Sequence, residues 1–458
     1  MGRLNHVIHK KVDDNFQEQV KTTAEMVKLR SVLDDSEATQ ADPFGARMSA
    51  ALDKFLAAAK SMGFYTKNLD NKVGYVEIGN ADAPLTGILA HLDVVPEGNC
   101  TQWDYPPYDG IIVNNYLYGR GAVDDKGPAI AALYAMAALR DTVALNRRFR
   151  LIVGLDEENG SRCIKHYTAH EEIPEFSFSP DASFPVVYAE KGILRIEIKL
   201  PQKLINNSAD KNVLVLKSIK GGTRFNVVPD KATAAVAQND ITNDIIVTGK
   251  TAHAMEPYKG DNAVQKLLNQ LLAMPLDEQS TILLKKAFSL TGEDWTGKSL
   301  GIECSDDVSG ALTCNCASIE SYKNDKYFEI GIKFDIRYPV TSDTEKILSN
   351  IKEHADMLGG SVEIVTHKPP LYVPKESYIV QTLLDAYHEI MDDRPEPISI
   401  GGGTYCRFLP NSVSFGPVFP GEEEYAHQPN ERISLDDLKK CTHIYAEALL
   451  RLNEKHKL

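Results

Sequence analysis

The sequence has no apolar run approaching the roughly 18 residues that a membrane-spanning helix needs. It lacks an excess of positive charge as well, its formal net charge being -14. Nucleic acids and anionic membranes reward clustered Lys and Arg, so neither is expected as a partner. Cysteine is sparse: there are seven, an odd number, and only Cys314 and Cys316 lie close together, as CNC. No CxxC zinc pair occurs, and scattered reduced thiols in a cytoplasmic protein are the expectation. The start, MGRLNHVIHKK, has no apolar core behind its basic residues, so it is not expected to act as a signal peptide. His6 stands where a myristoylation signal wants Ser or Thr. There is no short-period repeat and no low-complexity segment.

What is present reads as two kinds of pattern. At 458 residues the chain has room for two domains or more. DDNFQEQVKTTAEMVKLRSVL and ARMSAALDKFLAAAKSMG carry apolar residues at helical spacing. FYTKN, VGYVEIG, PLTGILAHLDVV, IIVNNYLYGRG and RFRLIVGL read as strands. Between the last two lies GPAIAALYAMAALRD, an Ala-rich helix with Pro128 in its first turn, where a missing N–H costs nothing. This alternation predicts an α/β sheet. From Gly192 the character changes to alternating strands such as GILRIEIKL, KATAAVA and YFEIGIKFDIRYPV, with helical stretches over about residues 262–288 and 342–358. Near Pro374 the α/β pattern resumes, with helix SYIVQTLLDAYHEIMD, strand SVSFGP and a helix from about Ser434. There Ser434-Leu-Asp-Asp resembles a capping box with Asp437 in the usual Glu place. The expected organisation is one α/β domain, residues 1–190 and 375–458, interrupted by an α+β insertion over residues 191–374.

The chemistry collects where the apolar strands stop. LTGILA leads to His91-Leu92-Asp93, the strand near Leu117 leads to Asp124-Asp125, and RLIVGL leads to Asp156-Glu157-Glu158. FSFS leads to Asp181, and SVSFGP leads through a loop to His427. Open α/β sheets bind ligands beyond the carboxyl ends of their strands. One acid at a strand end is an ordinary turn former; five such sites, two of them built around His, ask for more. Carboxylates so close repel unless positive charge sits among them, and Arg120 and Lys126 are too few. One or two divalent cations resolve the conflict, and a His/Asp/Glu ligand set suits zinc, manganese or cobalt. Such a centre needs one carboxylate to bind the ion and another to act as general base. The residues alone leave open which glutamate takes which task.

The ordered set AHLDVVPEG, YGRGAVDDKGP, DEENGS, SPDASFP, GKTAHA, GGGTYCR and YAHQPNE resembles the peptidase V branch of the two-metal exopeptidases, whose wider family includes carboxypeptidase G and aminoacylase. The resemblance spans about residues 91–432. It implies a mixed-sheet catalytic domain of zinc-exopeptidase type interrupted by an α+β lid domain. It implies two divalent metals, foremost zinc, held by His91, Asp124, Glu158, Asp181 and His427. Asp124 would bridge both metals, across a cis peptide from Asp125, while Asp93 supports His91 from behind and Glu157 serves as general base. From the lid, His253 would polarise the scissile carbonyl. Asn226 and Arg337 look like substrate-binding positions, Arg337 as a bidentate clamp on a C-terminal carboxylate. Gly402, Gly403 and Thr404 would line the substrate, although an ordinary Gly-rich turn accounts for the glycines equally well. Dimeric members have a shorter lid that pairs with a second subunit; the longer insertion here implies a monomer. The implied activity is hydrolysis, through a metal-bridged water, of dipeptides with a free N-terminus. An N-acyl amino acid deacylase on the same scaffold is the nearest rival, and a non-catalytic metal-binding protein the next.

One motif is rejected. GEDWTGKS, residues 292–299, satisfies the phosphate-loop pattern in full. It follows helix-like TILLKKAFSL instead of a buried strand, and Glu293 and Asp294 would meet phosphate with negative charge.

Overall fold

The computed structural model describes residues 2–203, 213–239, 241–323 and 327–454. It divides into two compact units: Met1–Tyr188 with Val373–Ile398 and Thr404–Leu458, and Ala189–Tyr372 with Ser399–Gly403.

The first unit is built on a mixed sheet. Tyr65–Leu69, Val73–Ile78 and Arg148–Gly154 run antiparallel to one another in that order. Leu85–His91 follows, then Phe176–Ser179 and Ser412–Ser414, all parallel to Arg148–Gly154. Every residue of Leu85–His91 and Arg148–Gly154 is buried, which is why both read as near-continuous apolar runs. The charges in the second of these are matched across the strands: Arg150 lies opposite Glu77, and its Nε donates to the Glu77 carboxylate at 2.6 Å.

The Ala-rich segment forms the helix Lys126–Thr142, buried from Lys126 to Leu139, so its small side chains admit neighbours on all sides. Ser434 caps the helix Leu435–Leu452 as its sequence predicts, accepting the Asp437 N–H at 2.9 Å while its hydroxyl donates to the Asp437 carboxylate. The first helix, Gly2–Val27, starts earlier than its periodicity indicates and stops sooner. Residues 28–33 leave the helix because Ser31 bonds across the fold. Its hydroxyl donates to the Leu92 carbonyl at 2.5 Å, and its own carbonyl accepts the Val94 N–H at 2.9 Å.

The second unit holds a seven-stranded sheet in the order Ile241–Thr248, Lys231–Gln238, Val215–Gly221, Thr313–Lys323, Tyr327–Tyr338, Gly192–Lys203, Ser361–Lys368, with every neighbour antiparallel. Leu267, Leu271, Leu284 and Ile351 from its helices join Ile196, Phe334 and Ile336 from its strands in one core. The single helix expected near 262–288 is two, Ala263–Leu272 and Glu278–Thr291. Pro275 cannot supply the N–H that continuity would need, and Asp277 caps the second helix by accepting the Ser280 N–H.

The phosphate-loop look-alike follows that second helix, not a strand. Its amides are already spent on its own Asp294, whose carboxylate accepts the N–H of Thr296 at 2.9 Å and of Lys298 at 3.2 Å, and the Ser299 hydroxyl at 2.9 Å.

Candidate metal centre

The parallel strands of the first unit end on the same side of their sheet, and the polar residues predicted from the sequence sit at those ends. His91 is the last residue of Leu85–His91, and Asp156-Glu157-Glu158 follows Arg148–Gly154 by one residue. Asp181 follows Phe176–Ser179 across Pro180. Asp124 lies in the loop between Tyr116–Tyr118 and the helix Lys126–Thr142, joined to Asp125 by a cis peptide. His427 takes a left-handed backbone conformation, φ 63°, in the loop before the final helix.

Two groups of potential ligands result, His91 with Asp124 and Asp181, and Asp124 with Glu158 and His427. His91 Nε2 is 2.9 Å from Asp124 Oδ1 and 3.6 Å from Asp181 Oδ2. His427 Nε2 is 3.0 Å from Asp124 Oδ2 and 2.9 Å from Glu158 Oε1. Asp124 thus gives one oxygen to each group. His91 Nδ1 is 2.9 Å from the Asp93 carbonyl and donates to it, which leaves a lone pair on Nε2. That Nε2 and Asp124 Oδ1 are buried and neither makes a hydrogen bond.

The electrostatics ask for positive charge. Burial pushes the Glu158 and Asp181 carboxyls up to about 7, with the Asp124 charge adding to the effect. Burial alone would lower the His91 imidazole, yet Asp181, Asp124 and Asp93 hold it well above its usual range. His427 is likewise pushed up to about 12 by Asp124 and Glu158 against the effect of burial. Both imidazoles thus face carboxylate charge, at the positions where divalent ions would meet those carboxylates. The orphaned atoms and the all-N/O donor sets therefore fit two such ions, of the zinc, manganese or cobalt kind.

The supports of the centre are main-chain bonds. The Asp93 carboxylate accepts the N–H of Glu157 at 3.1 Å and of Glu158 at 3.0 Å, so it holds the acidic turn. Its contact with His91 runs chiefly through its carbonyl, the carboxylate lying 3.5 Å from Nδ1. The Asp125 carboxylate accepts the His91 N–H at 3.1 Å. Glu157 belongs to neither ligand group.

Glu431 is the residue that the sequence reading missed. It is wholly buried, and one carboxylate oxygen accepts the N–H of Gly121, Val123 and Asp124 at 2.9–3.2 Å. The other accepts from Arg120 at 2.6 Å. It lies at the end of YAHQPNE, but nothing in its spacing announces that it grips a loop some 300 residues earlier. Glu431→Ala leaves Arg120 buried without its partner and three amides without an acceptor. Denaturant unfolding should show a loss of at least ~3–5 kcal/mol, and calorimetry should show weaker divalent-ion binding. A variant within 1 kcal/mol of the parent, on the scale of about 1 kcal/mol for one ordinary hydrogen bond, would remove Glu431 from this role.

The remaining candidates belong to the second unit, apart from Thr404. Val227 and His253 form an isolated antiparallel bridge, which sets Asn226 beside the His253 turn. The Met255 N–H donates to His253 Nδ1 at 3.2 Å, so a neutral imidazole there carries its proton on Nε2. Arg337 is not presented as an open clamp. It is buried, with Nε and Nη2 on the Asp335 carboxylate and Nη1 donating to the Gly401 carbonyl at 3.0 Å. Thr404 is buried too: its hydroxyl accepts the Cys406 N–H at 3.2 Å and pairs with the Ser414 hydroxyl at 3.0 Å, capping the turn Tyr405–Phe408. A Cβ on Gly402 would meet only Ile400, at 3.6 Å, so no internal crowding requires glycine there.

Residues 87–451 match the family described as Peptidase family M20/M25/M40. The protein YtjP of Bacillus subtilis (strain 168), provisionally named a dipeptidase, is 36% identical over 472 residues, covering 97% of this chain and 98% of that one. Among solved structures, human carnosine dipeptidase 1 superposes with a TM-score of 0.62 at 14% identity, covering 98% of this chain and 99% of that one. The dipeptidase Dug1p of Saccharomyces cerevisiae does so with a TM-score of 0.62 at 13% identity, covering 99% and 100%. At such identities these two likenesses speak to the fold.

Proposed function

The chain belongs to peptidase family M20/M25/M40, and on that footing we propose that it is a metal-dependent dipeptidase acting on dipeptides with a free N-terminus. The observation that carries the reading is the pair of ligand groups joined through Asp124, with Glu157 one residue from the ligand Glu158. His91, Asp124 and Asp181 would hold one ion and Asp124, Glu158 and His427 the other, zinc being the first choice for such donors. Bound divalent ions supply an acidified water and polarise the carbonyl of the substrate.

The chain's own residues do the rest. Glu157 takes the proton of the attacking water and delivers it to the leaving amine. His253, with its proton on Nε2, donates to the carbonyl oxygen as negative charge grows there. Asn226, in the turn next to the residue bridged to His253, adds a second polar group. Arg337 enters through its hold on the Gly401 carbonyl. The first unit is then the catalytic domain and the second the lid, whose length supports a monomer. The seven free thiols suit a reducing, cytoplasmic setting.

The test is a matched pair of substrates, a free dipeptide and its N-acetylated form, offered to the metal-loaded protein with and without a chelator. Chelator-sensitive cleavage of the free dipeptide alone is the expected result. Preference for the acetylated compound would make the protein a deacylase, and turnover unaffected by the chelator would remove the metal centre from the reaction.

A further inference from the structure

The second unit carries a row of buried polar groups on one face of its central strands. In the strands Thr313–Lys323 and Tyr327–Tyr338, Thr313 lies opposite Arg337 and Asn315 opposite Asp335. Residues two apart on a strand share a face, so these four side chains form one patch. The intervening Cys314, Cys316, Phe334 and Ile336 turn into the apolar core. All four polar residues are nearly inaccessible, Asn315 at 1% and Asp335 at 0% exposure. Burying polar groups is costly unless each finds a partner; here Thr313, Asn315 and Arg337 reach the main chains of three loops, and Asp335 accepts from Arg337 and from Arg195 at 2.9 Å.

Asn315 Nδ2 donates to the carbonyls of Phe225 and Val227, both at 3.1 Å. The two acceptors fix which end of the amide is nitrogen. They also flank Asn226, so the amide holds that residue from both sides. The segment it holds pairs with the His253 turn: Val228 N–H donates to the Ala252 carbonyl and Ala254 N–H to the Asn226 carbonyl, each at 2.9 Å. Thr313 holds the same turn from below, its hydroxyl donating to the Ala254 carbonyl at 3.3 Å. Arg337, kept in place by Asp335, holds the third loop at Gly401. Asn315 Oδ1 makes no hydrogen bond; what the residue contributes is its two donors.

We propose that Asn315 is a positioning residue, whose amide sets where Asn226 and His253 stand relative to each other and thereby the rate of the reaction. This rests on the reading that those two residues meet the scissile carbonyl. It adds to that reading the group on which their placement depends.

Asn315→Asp tests it, because a carboxylate has nearly the same shape and cannot donate to either carbonyl. Ser321→Ala is the control: Ser321 lies in the same strand and accepts the Ile219 N–H at 2.9 Å, away from the three loops. The expected result for Asn315→Asp is a fall in kcat of about 10- to 100-fold, little change in KM and unaltered metal content. Hydrogen exchange followed by mass spectrometry should speed up over residues 225–228 and 252–256, while Ser321→Ala speeds exchange only around Ile219 and keeps the parental kcat. Asn315→Thr retains one donor, serves if the aspartate fails to fold, and should fall between. Parental exchange over 225–228 in Asn315→Asp, or an equal loss of kcat in Ser321→Ala, would overturn the proposal. If the unsubstituted protein cleaves no dipeptide, the functional reading fails, and the exchange data still decide whether Asn315 holds the two segments.

Discussion

Glu157→Ala lowers kcat by about 10²- to 10⁴-fold at unchanged metal content, the usual worth of a positioned general base. The turn that presents Glu157 is not built by its own side chain. Its N–H and that of Glu158 are held by the Asp93 carboxylate at 3.1 and 3.0 Å, so removing the carboxylate of Glu157 leaves the backbone in place. Glu158 remains beside His427 at 2.9 Å, and the ligand groups are intact. The loss therefore falls on proton transfer. Steady-state kinetics with metal analysis measures it. Activity within threefold of the parent would assign the base elsewhere.

His253→Ala lowers kcat by about 10²- to 10³-fold, the effect of deleting one donor to a developing oxyanion, with little change in KM. The argument is the tautomer. A backbone donor, the Met255 N–H, occupies Nδ1, so the opposite nitrogen carries hydrogen without the ring having to be charged. The turn also has independent supports in the Val227 bridge and the Thr313 hydroxyl, so the alanine variant should fold. Isothermal calorimetry with the divalent ion should be indistinguishable from the parent, because His253 belongs to neither ligand group. A rise in KM with kcat preserved would make His253 a simple binding residue and end its oxyanion role.

The ligand groups were legible because each acid or histidine follows an apolar strand, and parallel strands deliver their ends to one place. His91 and Asp181 needed only that rule, which also brought Glu157 and Glu158 to the site without saying which of them binds an ion. The same rule reached Asp124 and His427 through the loops that follow their strands, and the family resemblance supplied the ligand roles. Glu431 escaped because its function is to accept main-chain amides, which no side-chain pattern records. The strand Thr313–Lys323 escaped for a related reason. Its two faces alternate cysteines with small polar residues, and a register shift between Cys316 and Ser318 breaks the alternation. Arg337 was found by its motif, but the sequence shows only a cation on a strand and cannot show that Asp335, two residues earlier, pairs with it. The break at Pro275 was open to reading, with a helix breaker two residues ahead of a capping Asp277.

The second unit is not one stretch of chain, because Ser399–Gly403 returns to it after the first unit has resumed. A fragment cut at 189 and 372 would fold without the carbonyl that receives Arg337, leaving a buried guanidinium donor unanswered. Grafting this unit onto a related scaffold, or exchanging it for a shorter one, therefore means moving two pieces together. Modularity in this protein follows the hydrogen bonds of the glycine-rich return, not the boundaries of the long insertion.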